Sequence, residues 1–195
     1  MINDSIALQR NLQVQKIGNA IVYLSSRVKD LSKTKLLKLV YLLDEISIRR
    51  SGIPIFNLTY KVWKFGPVSA ELYIDLSEDL HLMKNYIQLD SESKVFQPIT
   101  SFCDDEFSEN EIEFMDFVIE KYGNKSASEL VNLTHHEHSP WHTTALANNV
   151  LEPLENETLS YTDFVIDMKQ LIAHDSIRLA LYNDYVAQNG YANRG

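Results

Sequence analysis

Four histidines and one glutamate lie within eight consecutive positions of the chain. The histidines are His135, His136, His138 and His142, and Glu137 lies among them. Neutral imidazoles and a carboxylate bind zinc, so this cluster could hold a metal ion and support a metal-dependent enzyme. The spacing matches neither the HExxH pattern of metallohydrolases nor a Cys/His module. We therefore expect a structural role for His135, solvent-facing positions for the others, and no metal site.

The sequence offers little else for catalysis. Cys103 stands directly before Asp104, Asp105 and Glu106, and this negative field raises the pKa of a thiol and lowers its reactivity. The chain contains no GxSxG motif, and none of its six glycines forms a loop that could hold a phosphate. We therefore expect no catalytic residue and no cofactor.

Positive charge is concentrated in one segment of an otherwise acidic chain. The formal net charge of −9 argues against a protein that binds nucleic acid over its whole surface. Between Arg27 and Lys64, however, nine Lys or Arg stand against three Asp or Glu, a local balance of +6. Each lysine taken singly is expected on the solvated face of an amphipathic helix. As a group, these residues indicate an acidic partner.

The bulk composition predicts one ordinary globular core. The chain has 195 residues, of which 45% are hydrophobic, and this suits a single domain. No apolar run approaches the roughly 20 residues of a membrane helix, so membrane insertion is not expected. The N-terminus lacks a signal-peptide pattern, and the single Cys103 cannot form an internal disulfide. These features predict a cytoplasmic protein.

The local pattern in the first half predicts helices, a short strand and a hairpin. A first helix is expected over about 12–29, with residues 1–12 as an extra turn or a loose arm, and a second helix from Ser32 to Gly52. The next segment, 58–65, has strand character, and Gly66-Pro67 is expected to begin a helix. Trp63 and Phe65 are expected in the core, with Lys64 outward. Residues 86–98 then predict a β-hairpin. This order resembles a winged-helix unit.

The second half of the chain is expected to be helical. Ser108 with Glu111, and Ser126 with Glu129, have the spacing of capping boxes. Further helices are predicted from Ser139-Pro140, over 162–173 and over 176–188, with a loop over 148–157 and a frayed tail at 190–195. The predicted fold is mainly α, of the α+β class: a single helical domain over 1–195, with a short strand and a small hairpin.

Three strings of the sequence resemble the Panacea domain, which is also described as SocA-like antitoxin or phage-associated GepA-like. They are KLLKLVYLLDEISIRRSGIPIF, YKVWKFGPVSAELY and THHEHSPW, and they occur in order between about Ile17 and Ala147. The matching positions are Lys35, Leu36, Lys38, Leu39, Tyr41, Gly52, Pro54, Trp63, Gly66, Pro67, Val68, Thr134, His135, Pro140 and Trp141.

The resemblance implies an antitoxin of a bacterium or a phage, without enzymatic activity. Members of the family neutralise toxins encoded by neighbouring genes, by direct binding or, in some cases, by delivering the toxin to a protease. The expected partners are such a toxin and, in addition, a protease or chaperone. The residues expected to bind the partner are Lys35, Lys38, Tyr41, Trp63, Lys64, Gly66, Pro67, His135 and Trp141.

Two other functions stay open at this point. A DNA-binding regulator of the winged-helix type would use Lys33, Lys35, Lys38 and the tip of the hairpin to contact phosphates. That tip carries Lys94 beside acidic residues, which is unfavourable for binding DNA, so this function ranks second. The metal-dependent enzyme that would use the cluster from His135 to His142 ranks third.

Overall fold

The computed structural model describes the backbone of residues 2–189 and the side chains of residues 8–189. This part is mostly helical with small antiparallel sheets, which confirms the predicted α+β class. The helices are α1 (Ile2–Ser25), α2 (Lys33–Ser51), α3 (Ala70–Asp75), α4 (Glu109–Tyr122), α5 (Ala127–His135), α6 (Pro140–Ala147), α7 (Leu151–Glu155), a 3-10 helix (Met168–Ile172) and α8 (Ser176–Asn189). The strands are β1 (Lys61–Trp63), β2 (Gly66–Val68), β3 (Ile87–Leu89), β4 (Phe96–Pro98) and β5 (Tyr161–Val165).

Helix α2 forms the centre of the core, and its ends are those that the sequence predicts. The Ser32 side chain accepts a hydrogen bond from the backbone N–H of Lys35, and Gly52 adopts the left-handed conformation with φ 81°. The helix packs against α4, α5, the 3-10 helix and β2, so most of its circumference is buried. The prediction that its lysines lie on a solvated face is therefore wrong for Lys35 and Lys38, which are 5% and 1% exposed.

Gly66 and Pro67 belong to a strand and do not begin a helix, contrary to the sequence prediction. β1 is the central strand of a three-stranded sheet, with β2 and β5 at the edges, and Val62 lies opposite Pro67. Gly66 has φ +94°, which excludes it from a helix. Proline is tolerated here because an edge strand does not need its missing N–H. Helix α3 begins only at Ala70.

The hairpin turn between β1 and β2 exposes one aromatic residue that we expected in the core. The strand pattern predicts that Trp63 and Phe65 share a buried face, but the strand ends at Trp63 and the chain turns at Lys64 and Phe65. Phe65 is consequently 58% exposed, while Val62 is fully buried and Trp63 is half-buried. The prediction of a core position is wrong for Phe65.

Strand β5 and the 3-10 helix occupy the segment 162–173, where we predicted a helix. β5 pairs antiparallel with β1, so a partner about one hundred residues away decides its conformation. Helix α7 also lies in the segment 148–157, which we predicted as a loop. The capping boxes, the β3–β4 hairpin and the helix starts at α6 and α8 are confirmed.

Helix α1 begins at Ile2 and ends at Ser25, whereas the predicted helix ran over 12–29. Residues 1–12, which we expected as an extra turn or a loose arm, are helical from Ile2 onward. The predicted frayed tail at 190–195 lies outside the described residues. The extent of a single domain over 1–195 stays a prediction.

Candidate functional site

Lys38 is a buried ammonium group beneath the β1–β2 hairpin. It is 1% exposed, and its Nζ donates a hydrogen bond to the carbonyl oxygen of Pro67 at 2.8 Å. Burial disfavours the charged form and lowers the pKa of Lys38 to about 7. The side chain therefore joins the central helix to the hairpin and can gain or lose a proton near neutral pH.

Gly66 permits the close packing of α2, α5 and the hairpin at this point. A Cβ on Gly66 would lie 2.7 Å from Thr134 Oγ1, 2.9 Å from Lys38 Cε and 3.2 Å from His135 Nε2. These three groups thus surround one point in space, and any larger residue would push them apart. Glycine is needed here for this approach and also for its positive φ.

His135 and Trp141 form a stacked pair next to this point. Their ring centroids are 3.8 Å apart with an interplanar angle of 13°, and Trp141 Nε1 donates to the carbonyl oxygen of Trp63 at 2.9 Å. His135 Nε2 is buried without a hydrogen-bond partner among the described residues. Burial, together with the nearby charges of Lys38 and His142, lowers the pKa of His135 to about 4. This imidazole is neutral at physiological pH.

His136 and His138 lie away from His135, and of the other histidines in the sequence cluster His142 lies near it. His136 and His138 are exposed in the turn that follows α5, and His142 is half-buried on α6. The cluster divides because α5 ends at His135 and a new helix begins at Pro140. Within the part of the chain that the structure describes, no three His, Cys, Asp or Glu side chains are placed to hold a metal ion.

A pocket of about 210 Å³ opens between α2, α3 and the three-stranded sheet. Four of its ten lining residues are aromatic, and Lys38 lies at its buried end. The Trp63 ring meets Tyr73 edge-to-face at 4.9 Å and lies 6.1 Å from the ring of Tyr161. Two of the lining residues, Phe65 and Tyr161, are 58% and 70% exposed and form an aromatic rim. We refer to this feature as the Lys38 pocket.

Two lysines, Lys38 and Lys64, line the Lys38 pocket. Lys64 lines it and forms an ion pair with Glu157 at 3.1 Å, and Lys33 Nζ lies 4.5 Å from the centre of the Tyr73 ring. Among the residues that the structure describes, no carboxylate lines the pocket. An acidic protein thus presents a cationic and aromatic concavity on one face.

Three of the residues predicted to bind the partner line this pocket, and two others lie away from the whole site. Lys35 donates from Nζ to the carbonyl oxygen of Lys29 at 2.8 Å, and Tyr41 meets Tyr60 edge-to-face at 5.0 Å. Both are buried and support the core. The structure brings together the other seven predicted residues, which are Lys38, Trp63, Lys64, Gly66, Pro67, His135 and Trp141. That any of the nine binds a partner stays a prediction.

The sequence prediction missed Phe65, Tyr73 and Tyr161 as members of the site. Tyr73 belongs to the string that resembles the family, and its aromatic character was a usable signal. Tyr161 could not be found in this way, because its position depends on the pairing of β5 with β1. A larger groove of about 400 Å³, lined in part by Gln13 and Phe56, contains none of the predicted residues.

Asp44 is a second buried ionisable residue on α2, at the end away from the pocket. Its carboxylate accepts hydrogen bonds from the backbone N–H of Phe56 at 2.8 Å and from the Tyr60 hydroxyl at 2.9 Å. Burial raises the pKa of Asp44 to about 6, although these hydrogen bonds lower it. The network attaches the segment after α2 to the helix.

One of three comparisons with known proteins finds a match. No curated protein and no solved structure matches this chain. None of the described helices is long and apolar enough to cross a membrane. The family model described as antitoxin SocA-like, Panacea domain, matches residues 36–142, just over half of the chain, and these residues include most of the site. The protein therefore belongs to the SocA-like antitoxin family that the Panacea domain defines.

Proposed function

We propose that this protein is an antitoxin that neutralises a protein toxin encoded by a neighbouring gene, by binding the toxin directly. Membership of the SocA-like family supports a toxin as the partner. The observation that favours direct binding is the Lys38 pocket with its aromatic rim, which is a rigid recognition surface. Tyrosine, tryptophan and cationic side chains of this kind dominate the affinity of many protein interfaces.

The buried residues of the site hold this surface in one conformation. The Trp141 indole donates a hydrogen bond to the backbone of Trp63, and Lys38 donates one to the backbone of Pro67. Each strand of the β1–β2 hairpin is therefore held by a buried side chain. A surface that is ordered before binding loses less conformational entropy when the partner arrives. We propose that the buried residues at this site other than Lys38 act only in this indirect way and that Trp63 and Lys64 contact the toxin.

Burial in α2 argues against the rival function of a DNA-binding regulator. Of the three lysines that this function requires, Lys35 and Lys38 are 5% and 1% exposed and each donates to a backbone carbonyl. Lys35 does not line the Lys38 pocket and Lys38 lies inside it, so neither side chain is placed to contact the backbone of a duplex that lies across the surface. The DNA-binding function would also use the tip of the β3–β4 hairpin. There Lys94 lies beside Asp90, whose carboxylate accepts a hydrogen bond from the backbone N–H of Ser93.

Co-expression with the neighbouring gene product tests the proposed function. Expression of the neighbour alone should stop growth, and co-expression of this chain should restore it and yield a complex of the two proteins. Purified chain should also inhibit purified toxin at a near-equimolar ratio without any protease, because binding alone is proposed to neutralise it. A harmless neighbour, or a toxin that kills equally with this chain present, would contradict the proposal.

A further inference from the structure

We propose that the Lys38 pocket accepts one acidic side chain of the toxin, whose carboxylate forms an ion pair with Lys38 while the aromatic rim packs against the apolar residues beside it. This inference rests on the proposed function and specifies the chemistry of the partner. The pocket is thus a receptor for an Asp or Glu that projects from a partly apolar segment of the partner.

The first support is the incomplete hydrogen bonding of Lys38. An ammonium group carries three N–H donors. Among the described residues, the structure gives Lys38 Nζ one acceptor, the carbonyl oxygen of Pro67. A buried cation without a counter-charge is unfavourable, and a carboxylate that arrives with the partner would supply the missing acceptor and charge. A bound anion would therefore accept the remaining hydrogen bonds of Lys38 and balance its charge.

The second support is the charge of the groups that face Lys38. Lys64, Tyr73 and Tyr161 line the same pocket as Lys38, and His135 Nε2 lies near the Lys38 side chain beside Gly66. His135 carries no charge at neutral pH, and the carboxylate nearest to Lys64 belongs to Glu157, which does not line the pocket. Complementary charge therefore favours an acidic group, and this matches the cationic segment of the sequence.

The third support is the size and lining of the pocket. Its volume of about 210 Å³ is below the roughly 300–1,000 Å³ that holds a whole small molecule or cofactor. It suits one anchoring side chain of a protein. The exposed rings of Phe65 and Tyr161 beside the opening provide apolar area that a free anion would leave unused. A protein segment that combines a carboxylate with apolar neighbours uses both features.

Binding of a carboxylate should be linked to protonation of Lys38. Because the pKa of Lys38 is lowered to about 7, most free molecules carry a neutral amine there at pH 8. A bound carboxylate favours the ammonium form, so complex formation at pH 8 takes up a proton. At pH 6 the amine is already protonated, and the uptake at this residue disappears.

The test compares two buried lysines of the same helix. Lys38→Met removes the charge from the pocket, whereas Lys35→Met removes a buried lysine that also bonds to a backbone carbonyl but does not line the pocket. Titration calorimetry with purified toxin should give an affinity at least about 30-fold lower for Lys38→Met, the lower end of the loss when a buried charge pair loses one partner. Lys35→Met should bind like the wild type. Thermal unfolding of both variants shows that each is folded.

A double-mutant cycle identifies the partner group. One Asp→Asn or Glu→Gln substitution in the toxin should weaken binding to the wild type by at least tenfold and have little further effect with Lys38→Met. Calorimetry in buffers of different ionisation enthalpy should show proton uptake by the wild type at pH 8 that is lost at pH 6, a readout that needs no variant. Equal affinities for the two lysine variants, or equal uptake at both pH values, would overturn the inference. Wild-type neutralisation of the toxin would in that case still support the proposed function.

Discussion

Two buried ionisable residues of helix α2, Asp44 and Lys38, have opposite surroundings. Asp44 accepts from the Phe56 backbone at 2.8 Å and from the Tyr60 hydroxyl at 2.9 Å, all within the core. Lys38 has one backbone acceptor and lies at the buried end of an open pocket. The fold supplies hydrogen-bond donors to both carboxylate oxygens of Asp44. Lys38 Nζ has one acceptor among the described residues, so two of its three N–H donors are unused.

This difference separates a structural residue from a binding residue. A buried polar group with all its partners present holds two parts of the chain together, and its removal damages the fold. A buried polar group with a partner missing lowers stability by about 1–3 kcal/mol, and a fold can retain that cost where a ligand later supplies the partner. The variants described next test this distinction, from the largest expected effect to the smallest.

Asp44→Ala should have the largest effect on stability. The substitution leaves the Phe56 N–H without this acceptor in the core and leaves the Tyr60 hydroxyl only the long contact with the Val40 carbonyl oxygen at 3.5 Å, so we expect a loss of about 3 kcal/mol in the free energy of unfolding. Chemical denaturation measures it. Asp44→Asn is the matched control, since it keeps the shape and one acceptor and should lose less. A loss below about 1 kcal/mol for Asp44→Ala would show that this network does not stabilise the fold.

The dependence of stability on pH should distinguish the two residues. Folding lowers the pKa of Lys38, so the unfolded chain binds more protons above pH 7 and the free energy of unfolding rises with pH between about 7 and 9. One such group contributes at most about 1.4 kcal/mol per pH unit. Folding raises the pKa of Asp44, so the contribution of Asp44 to the free energy of unfolding falls as the pH rises from about 4 to 6.

Denaturation of wild type and Lys38→Met at several pH values isolates the first of these contributions. The rise between pH 7 and 9 should be present in the wild type and absent in Lys38→Met, because methionine does not titrate. Between pH 4 and 6 the two proteins should have the same profile, in which His135, with its pKa lowered to about 4, contributes a rise that opposes the fall from Asp44. Parallel profiles for the two proteins above pH 7 would mean that Lys38 is not buried as a titrating amine.

Gly66→Ala should disturb the site and the fold together. The added Cβ meets Thr134 Oγ1 and Lys38 Cε at less than 3 Å in a residue with φ +94°, so we expect a loss of about 2 kcal/mol. Gly52→Ala is the control, because that residue has φ +81° and its Cβ would meet the backbone of Arg178, away from the pocket. Both variants should lose stability, and only Gly66→Ala should also lose toxin affinity at a temperature where both are folded.

Phe65→Ser should have the smallest effect on stability and a clear effect on binding. Phe65 is 58% exposed, so we expect a change in stability below about 0.5 kcal/mol and a loss of toxin affinity of about tenfold. Ile177→Ser on α8 is the control, since Ile177 is 74% exposed and lies outside the pocket. Equal toxin affinities for both variants and the wild type would show that the aromatic rim does not contribute to the interface.

The sequence predicted those parts of the fold that local chemistry decides. Ser32, Ser108, Ser126 and Ser139 each accept a hydrogen bond at the start of a helix, and this capping pattern can be read over a few residues. The same holds for Gly52 at the end of α2. The family resemblance also brought together residues from three distant segments, seven of which meet at the site.

The remaining features depend on contacts between distant segments. Tyr161 joins the pocket because β5 pairs with β1, and nothing near Tyr161 in sequence specifies that partner. Lys38 has the spacing of a solvated residue on an amphipathic helix, and it is buried because the hairpin covers it. Local periodicity describes one face of a helix and cannot detect that other segments cover the opposite face as well.

Hydrogen exchange on the toxin complex tests most directly whether the partner binds over the Lys38 pocket. Purified chain is compared free and bound to the neighbouring gene product, with peptides that cover 61–68, 158–166 and, as a distant reference, α8. We predict slower exchange on binding in the first two segments and little change in α8. Protection confined to α1 or α8, with the hairpin and β5 exchanging as in the free protein, would contradict the assignment of this pocket as the toxin-binding site.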